Sequence, residues 1–208
     1  MKYTVTILTT LASCASAASF LSTAGTYISS VAADTNYSGN NSLIVNSRSD
    51  TPHYDRFIFY NFDISSYANG FDSVSLTVNT TNSTGTGFDI YYFDNALDLS
   101  TLTWNTAATA SIVPSTADGS FTGGTLVQSY TGSYSASTAT TFTFDFTDFS
   151  SIQGDSDGIF TLAIVDTDFS NAYGIFDRTT ASVNVIPEPS ALALLGLGGV
   201  ALLSKRKR

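Results

Sequence analysis

Between Gly25 and Val185 apolar and polar positions alternate with a period of two, the pattern of strands with one buried and one wet face. Val74, Leu76 and Val78 alternate with Ser75 and Thr77. Phe88, Ile90 and Tyr92 do likewise, and Phe142, Phe144 and Phe146 alternate with Thr143 and Asp145. Two runs are denser, Arg56-Phe57-Ile58-Phe59-Tyr60-Asn61-Phe62 and Ile159-Phe160-Thr161-Leu162-Ala163-Ile164-Val165, and predict strands covered on both faces. Turn formers separate the runs: Ser38-Gly39-Asn40-Asn41, Asn69-Gly70, Thr84-Gly85-Thr86-Gly87, Asp118-Gly119 and Asp157-Gly158. No stretch of this middle keeps a helical period for three turns. Many short strands with regular turn signals predict a single all-β sandwich, a jelly roll. Residues 115–141, rich in Ser, Thr and Gly, read as a long loop with one weak strand around residues 125–130.

The pattern changes at both ends. Lys2 precedes an apolar run from Tyr3 to Leu11, and Ala15-Ser16-Ala17 is placed like a signal-peptide cleavage site. Residues 1–17 therefore read as an export signal. Leu11-Ala12-Ser13-Cys14 also fits a bacterial lipoprotein signal, with Cys14 as the lipidated residue. At the other end, Ala191 to Leu203 is uncharged over 13 residues, about 20 Å as a helix against the roughly 30 Å of a hydrocarbon core. Lys205, Arg206, Lys207 and Arg208 form a basic stop that stays on the cytoplasmic side. Pro187-Glu188-Pro189, the short apolar helix and the basic tail together resemble a PEP-CTERM sorting signal. The resemblance implies a bacterium of Gram-negative type in which an exosortase reads the signal, alongside exopolysaccharide production. The ordinary alternative is a plain C-terminal membrane anchor. The expected division is thus signal peptide 1–17, body 18–186 and sorting signal 187–208.

Charge narrows the function of the body. Its cations are Arg48, Arg56 and Arg178, set against sixteen Asp, and Glu188 is the only Glu in the chain. Such a surface repels phosphate backbones, because duplex binding rests on Lys and Arg; nucleic acid is excluded as a partner. The only Cys is Cys14, so the body has no disulfide, thiolate ligand or thiol nucleophile. With His53 as the sole His, a zinc or copper site is excluded as well.

A second resemblance runs along the strands. Thr26-Tyr27-Ile28, Asn36-Tyr37-Ser38-Gly39 and Leu43-Ile44-Val45 are followed by Arg56 to Ser66, then Ser73 to Val78 and Phe88 to Tyr92. Leu102-Thr103-Trp104-Asn105, Phe144-Asp145-Phe146-Thr147-Asp148 and Gly174-Ile175-Phe176-Asp177-Arg178 complete the series. In order and spacing they resemble a DNRLRE domain, a family that overlaps the family 96 carbohydrate-binding modules. The resemblance implies a noncatalytic jelly roll that binds polysaccharide. Where the family carries a Trp and a Glu ahead of the Thr-Trp-Asn segment this chain has Leu97 and Leu99, and Thr179 replaces the acid after the final Arg.

Candidate chemistry follows from residue types. Sugar rings pack an apolar face on Tyr or Trp. Tyr91 and Tyr92 are adjacent in a strand, so one faces the core and the other outward. Tyr37, Tyr54, Tyr130, Tyr134 and Tyr173 are further surface candidates, and Trp104 is either a platform or a core residue of a strand. Arg56 and Arg178 either pair with an Asp or hold an acidic sugar such as a uronate, for which the planar guanidinium is suited. Asp155, Asp157, Asp166 and Asp168 form two carboxylate pairs that offer oxygen ligands to a structural Ca²⁺; the bland reading is that Asp tips turns. Gly154-Asp155-Ser156-Asp157-Gly158 spells a nucleophile elbow without the strand-to-helix context that the elbow requires.

The expectation is an exported, noncatalytic protein of the envelope or extracellular matrix that binds extracellular polysaccharide. It meets an exosortase during sorting, and the membrane through its C-terminal helix. The alternatives are a structural matrix protein without a discrete ligand, and a polysaccharide hydrolase or lyase using a pair of Asp.

Overall fold

The computed structural model describes residues 16–48, 55–67, 70–85, 87–107, 112–114, 121–131, 134–136, 140–167 and 170–188. Among them are fourteen strands: β1 (Ala18–Leu21), β2 (Ala24–Ser29), β3 (Ser42–Arg48), β4 (Arg56–Asp63), β5 (Phe71–Gly85), β6 (Phe88–Phe93), β7 (Val113–Pro114), β8 (Phe121–Thr122), β9 (Thr125–Tyr130), β10 (Tyr134–Ala136), β11 (Thr140–Asp145), β12 (Ile159–Asp166), β13 (Ser170–Asp177) and β14 (Ser182–Pro187). The α-helices, α1 (Trp104–Ala107) and α2 (Ser150–Gln153), are single turns.

Eight strands wind like one long hairpin folded over itself. The antiparallel pairs are β3 with β13, β4 with β12, β5 with β11 and β6 with β9. Successive windings meet where β13 pairs with β5 and β12 with β6. By hydrogen bonding these strands belong to one antiparallel sheet, joined between β3 and β4 where Asn46 pairs with Arg56. It folds over so that β3-β13-β5-β11 and β4-β12-β6-β9 face each other across a common core, the jelly roll expected from the alternation. β2 extends the second of these layers beyond β4. β14 continues the line of β13 along the same edge of β5, and β1 pairs outside β14.

Side-chain parity fills two cores. Between the layers lie Leu43 and Val45 of β3, Val74, Leu76 and Val78 of β5, and Val183 and Val185 of β14. They face Ile58, Tyr60 and Phe62 of β4, Phe160, Leu162 and Ile164 of β12, and Phe88, Ile90 and Tyr92 of β6. The intervening residues Phe57, Phe59, Phe93, Ala163 and Val165 point the other way into a second cluster with Ile28, Leu99, Leu102, Ala107 and Ile112. This is the double covering that the dense runs predict, and the cover is supplied by Leu97, Leu99, Leu102, Trp104, Ala107 and Ile112. It is pinned by a satisfied polar network: Asn61 Nδ2 donates to the Leu97 carbonyl at 2.8 Å, and Thr161 Oγ1 donates to Asn61 Oδ1 at 2.7 Å. Leu97 N–H donates back to Thr161 Oγ1 at 2.9 Å.

Among the described residues no helix is long and apolar enough to cross a membrane. The apolar run 191–203, the basic stop 205–208 and residues 1–15 of the expected export signal 1–17 lie outside the described residues.

Candidate carbohydrate site

The connection from β2 to β3, residues 30–41, folds back over the edge of the sandwich instead of crossing it in the open. Asn36 fixes its path. Its Nδ2 donates to the carbonyls of Leu99 at 2.9 Å and Leu102 at 2.8 Å, while its Oδ1 accepts from Ser38 N–H at 3.0 Å. Asn105 ties the same two segments together, donating its backbone N–H to the Ala33 carbonyl at 3.0 Å and its side-chain amide to Asp34 Oδ1 at 2.6 Å.

The folded-back loop lays Tyr37 on Tyr27, ring on ring, with centroids 4.0 Å apart and planes 15° from parallel. Tyr27 is buried in β2 and Tyr37 is half-buried, so one face of an accessible ring is backed by the core. Two of the body's three cations adjoin this pair. Arg178, just past β13, donates from Nη1 to the Ser38 carbonyl at 2.8 Å, and its stem packs so closely on Gly25 that a Cβ there would sit 2.9 Å from Arg178 Cγ. Arg56, half-buried at the start of β4, acts on Tyr27 electrostatically. Burial and the neighbouring Tyr37 push the Tyr27 phenol above its ordinary value, whereas Arg56 and a hydrogen bond with Asn40 pull the other way. The arrangement is a flat aromatic platform with guanidinium and amide groups beside it.

The other sequence candidates divide between this loop cluster and distant positions. Trp104 is not in a strand: Thr103 N–H and Oγ1 bond Thr106 Oγ1, turning the chain into α1. Its ring stacks on Phe57 at 5.6 Å and stays half-buried over the second cluster, beside the loop that carries Tyr37. Tyr91 points outward from the main core, yet it too is half-buried against the second cluster. Tyr92 is a core residue. Its hydroxyl lies 2.8 Å from Asp155 Oδ2 and 3.0 Å from Asp94 Oδ1; burial, then those carboxylates, push its ionisation far above the ordinary phenol range. Tyr130 packs on Phe88 and Phe144. Tyr54 and the side chains of Tyr134 and Tyr173 lie outside the described residues. The expected carboxylate partner of Arg178 is replaced by a backbone carbonyl, because Asp177 Oδ1 accepts from Thr179 N–H at 2.7 Å and Thr179 Oγ1 at 2.8 Å.

Of the two carboxylate pairs considered for calcium, Asp155 and Asp157 are described in full and Asp166 is described without its partner. Asp155 and Asp157 shape the turn before β12: Asp155 Oδ1 accepts from the N–H groups of Asp157 and Gly158, and Asp157 Oδ1 from that of Ile159. Asp166 is buried at the far end of that strand, about 23 Å away at strand rise, and Asp168 lies outside the described residues. Among the described residues no three His, Cys, Asp or Glu side chains converge on a metal-sized space. The 154–158 segment leads from α2 into β12, a helix-to-strand order that an elbow does not use.

Sequence reasoning missed Tyr27. Its place in the alternation marks it as core, and only the return of the loop onto it makes it part of a surface site. The signal was the loop's own Asn36-Tyr37-Ser38, an Asx turn carrying an aromatic. Compared with known families, the model for carbohydrate-binding module family 96 matches residues 16–183, and that for the PEP-CTERM protein-sorting motif matches residues 185–208. No curated protein matches the chain.

Proposed function

This chain belongs to carbohydrate-binding module family 96, and from that premise we propose that it is an exported, noncatalytic protein that holds extracellular polysaccharide at the β2–β3 edge. The observation that carries the reading is the Tyr27–Tyr37 stack with Arg56 and Arg178 beside it. A pyranose lays its apolar C–H face on a ring that is already held flat, so little side-chain entropy is lost on binding. Arg178 spends one of its five N–H donors on Ser38. The remaining directions suit a sugar carboxylate, which a guanidinium can grip with two parallel bonds. In a body with sixteen Asp and three Arg, two cations beside one aromatic platform favour an acidic sugar such as a uronate over a neutral one. Trp104, on the adjoining segment, extends the platform along a polymer.

The PEP-CTERM motif indicates export and exosortase-dependent sorting at a membrane, which delivers such a module to where extracellular polysaccharide lies. A chain retained as a structural matrix component would share the sorting motif but would not need the stacked pair. Affinity electrophoresis of residues 18–188 through gels cast with acidic and neutral polysaccharides separates the two. Selective retardation by an acidic polymer, weakened tenfold or more by Tyr37→Ala, is the expected result. Uniform migration through every gel would overturn the reading. A structural Ca²⁺ belongs to the same proposal only if added calcium raises the melting temperature and chelator lowers it.

A further inference from the structure

The last strand of the body enters the sorting motif before it ends. Pro187 is the final residue of β14 and pairs across from Phe71 of β5. Glu188 follows, and its carboxyl carbon lies 3.4 Å from the point where a Cβ on Gly70 would stand. Two of the three residues that define the motif therefore rest on the folded sheet. Pro189 and Ser190 alone separate Glu188 from the apolar run that begins at Ala191, at most about 11 Å of extended chain. An enzyme that closes around Pro187-Glu188-Pro189 meets the body on one side of its substrate.

The attachment is weakest at this point. β1 covers β14 only from Ser182 to Val185, so among the described residues the ladder partner of Ile186 and Pro187 is β5. The ladder loses its register between Ile186 and Pro187, and a proline offers no N–H to it. Ile186 is 49% exposed, whereas Val183 and Val185 are fully buried. Lifting 186–188 uncovers little apolar surface; lifting Val185 would open the core. The energetic boundary falls between Val185 and Ile186.

We propose that residues 186–188 are a latch. Closed, they hold the sorting motif against β5, and the exosortase reads the motif only from the state in which they have lifted. Sorting is thereby coupled to a local opening at the end of β14, while the rest of the sandwich stays folded. The latch is independent of the sugar site.

Ser73 and Ile186 are direct partners across β5 and β14, a spacing from which a disulfide is within reach, and the body contains no other Cys. The test uses the full chain carrying S73C and I186C in a Cys14→Ser background, immobilised and exposed to detergent-solubilised membranes that contain an exosortase. The oxidised chain is expected to retain at least tenfold less exosortase than the same chain after reduction. A second chain, with a six-residue Gly-Ser spacer between Ile186 and Pro187, is expected to retain at least as much as the unaltered chain. Retention by the spacer chain alone also supports a closed latch. Equal and measurable retention by the oxidised and reduced chains, loss of retention on adding the spacer, or no retention by any chain would each overturn the proposal.

Discussion

Gly158 sits at φ +70°, and a Cβ there would stand 2.8 Å from the backbone N and Cα of Ser65. The close approach lets the Ile64 N–H donate to the Gly158 carbonyl at 2.8 Å, joining the end of β4 to the start of β12. Gly158→Ala is expected to cost at least about 1–2 kcal/mol from the left-handed backbone alone, read as a lower urea midpoint with an unchanged slope. Tyr60 illustrates the same dependence on a single atom. It is fully buried, and its hydroxyl donates to the Asp177 carbonyl at 3.2 Å. Burial, with Asp177 nearby, raises its ionisation far above the ordinary phenol value. A folded-state value above the unfolded one gives stability that is complete below about pH 10 and is lost as pH climbs beyond it, when the unfolded tyrosine ionises and the folded one does not. Thermal melts should fall away above pH 10, less steeply in Tyr60→Phe, which starts lower by about 1 kcal/mol for the lost bond. Exposed Asp63, Asp98 and Asp148 act at the other limb. Hydrogen bonds from Ser65, Ser100, Thr101 and Ser150 hold their carboxyls below the ordinary range. Their contribution is complete above about pH 4 and disappears as acid protonates them.

At the scale of elements, the strands that bury a face were legible and those that bury polar residues were not. β4 and β12 announce themselves by unbroken apolar runs, and both of their faces are covered. β5 hides its second half. From Asn79 onward it reads Asn-Thr-Thr-Asn-Ser-Thr-Gly, a turn by composition, yet it continues as strand to Gly85 because β13 and β10 pair with it there. Thr80 is fully buried and donates to the Ile175 carbonyl at 2.7 Å. Partners distant in sequence supply what the local pattern lacks. The span 115–141 contains the expected strand at residues 125–130 together with β8 and β10, too short to give a period. Trp104 was placed in a strand because Leu102 precedes it in alternation, whereas the Thr103–Thr106 hydrogen bonds turn the chain into a helix. Of the candidate site, Arg56, Arg178, Tyr37 and Trp104 were legible as residue types; their gathering at one edge depends on Asn36, which bridges two loops about 65 positions apart. Asn36→Ala is expected to lose about 2 kcal/mol of stability and to weaken glycan binding disproportionately, measured by urea unfolding beside affinity electrophoresis.

The molecule as a whole separates its tasks in space. The jelly roll closes its main core without a disulfide, which its two opposed faces of Phe, Tyr, Ile, Leu and Val make unnecessary. One edge carries the stacked tyrosines and the two arginines; the end of β14 carries the first residues of the sorting motif, with Pro187 paired to β5. The start of β1 pairs with that same strand, Ala18 opposite Val185, so the first and last strands of the sandwich meet where the sorting motif begins. The most direct measurement is nuclear magnetic resonance of isotopically labelled protein titrated with an acidic oligosaccharide. Shifts concentrated at Tyr27, Tyr37, Asn40, Arg56 and Arg178, saturating with concentration and absent with a neutral oligosaccharide, are the predicted result. Shifts scattered over the surface, or confined to the turn around Asp155, would contradict it.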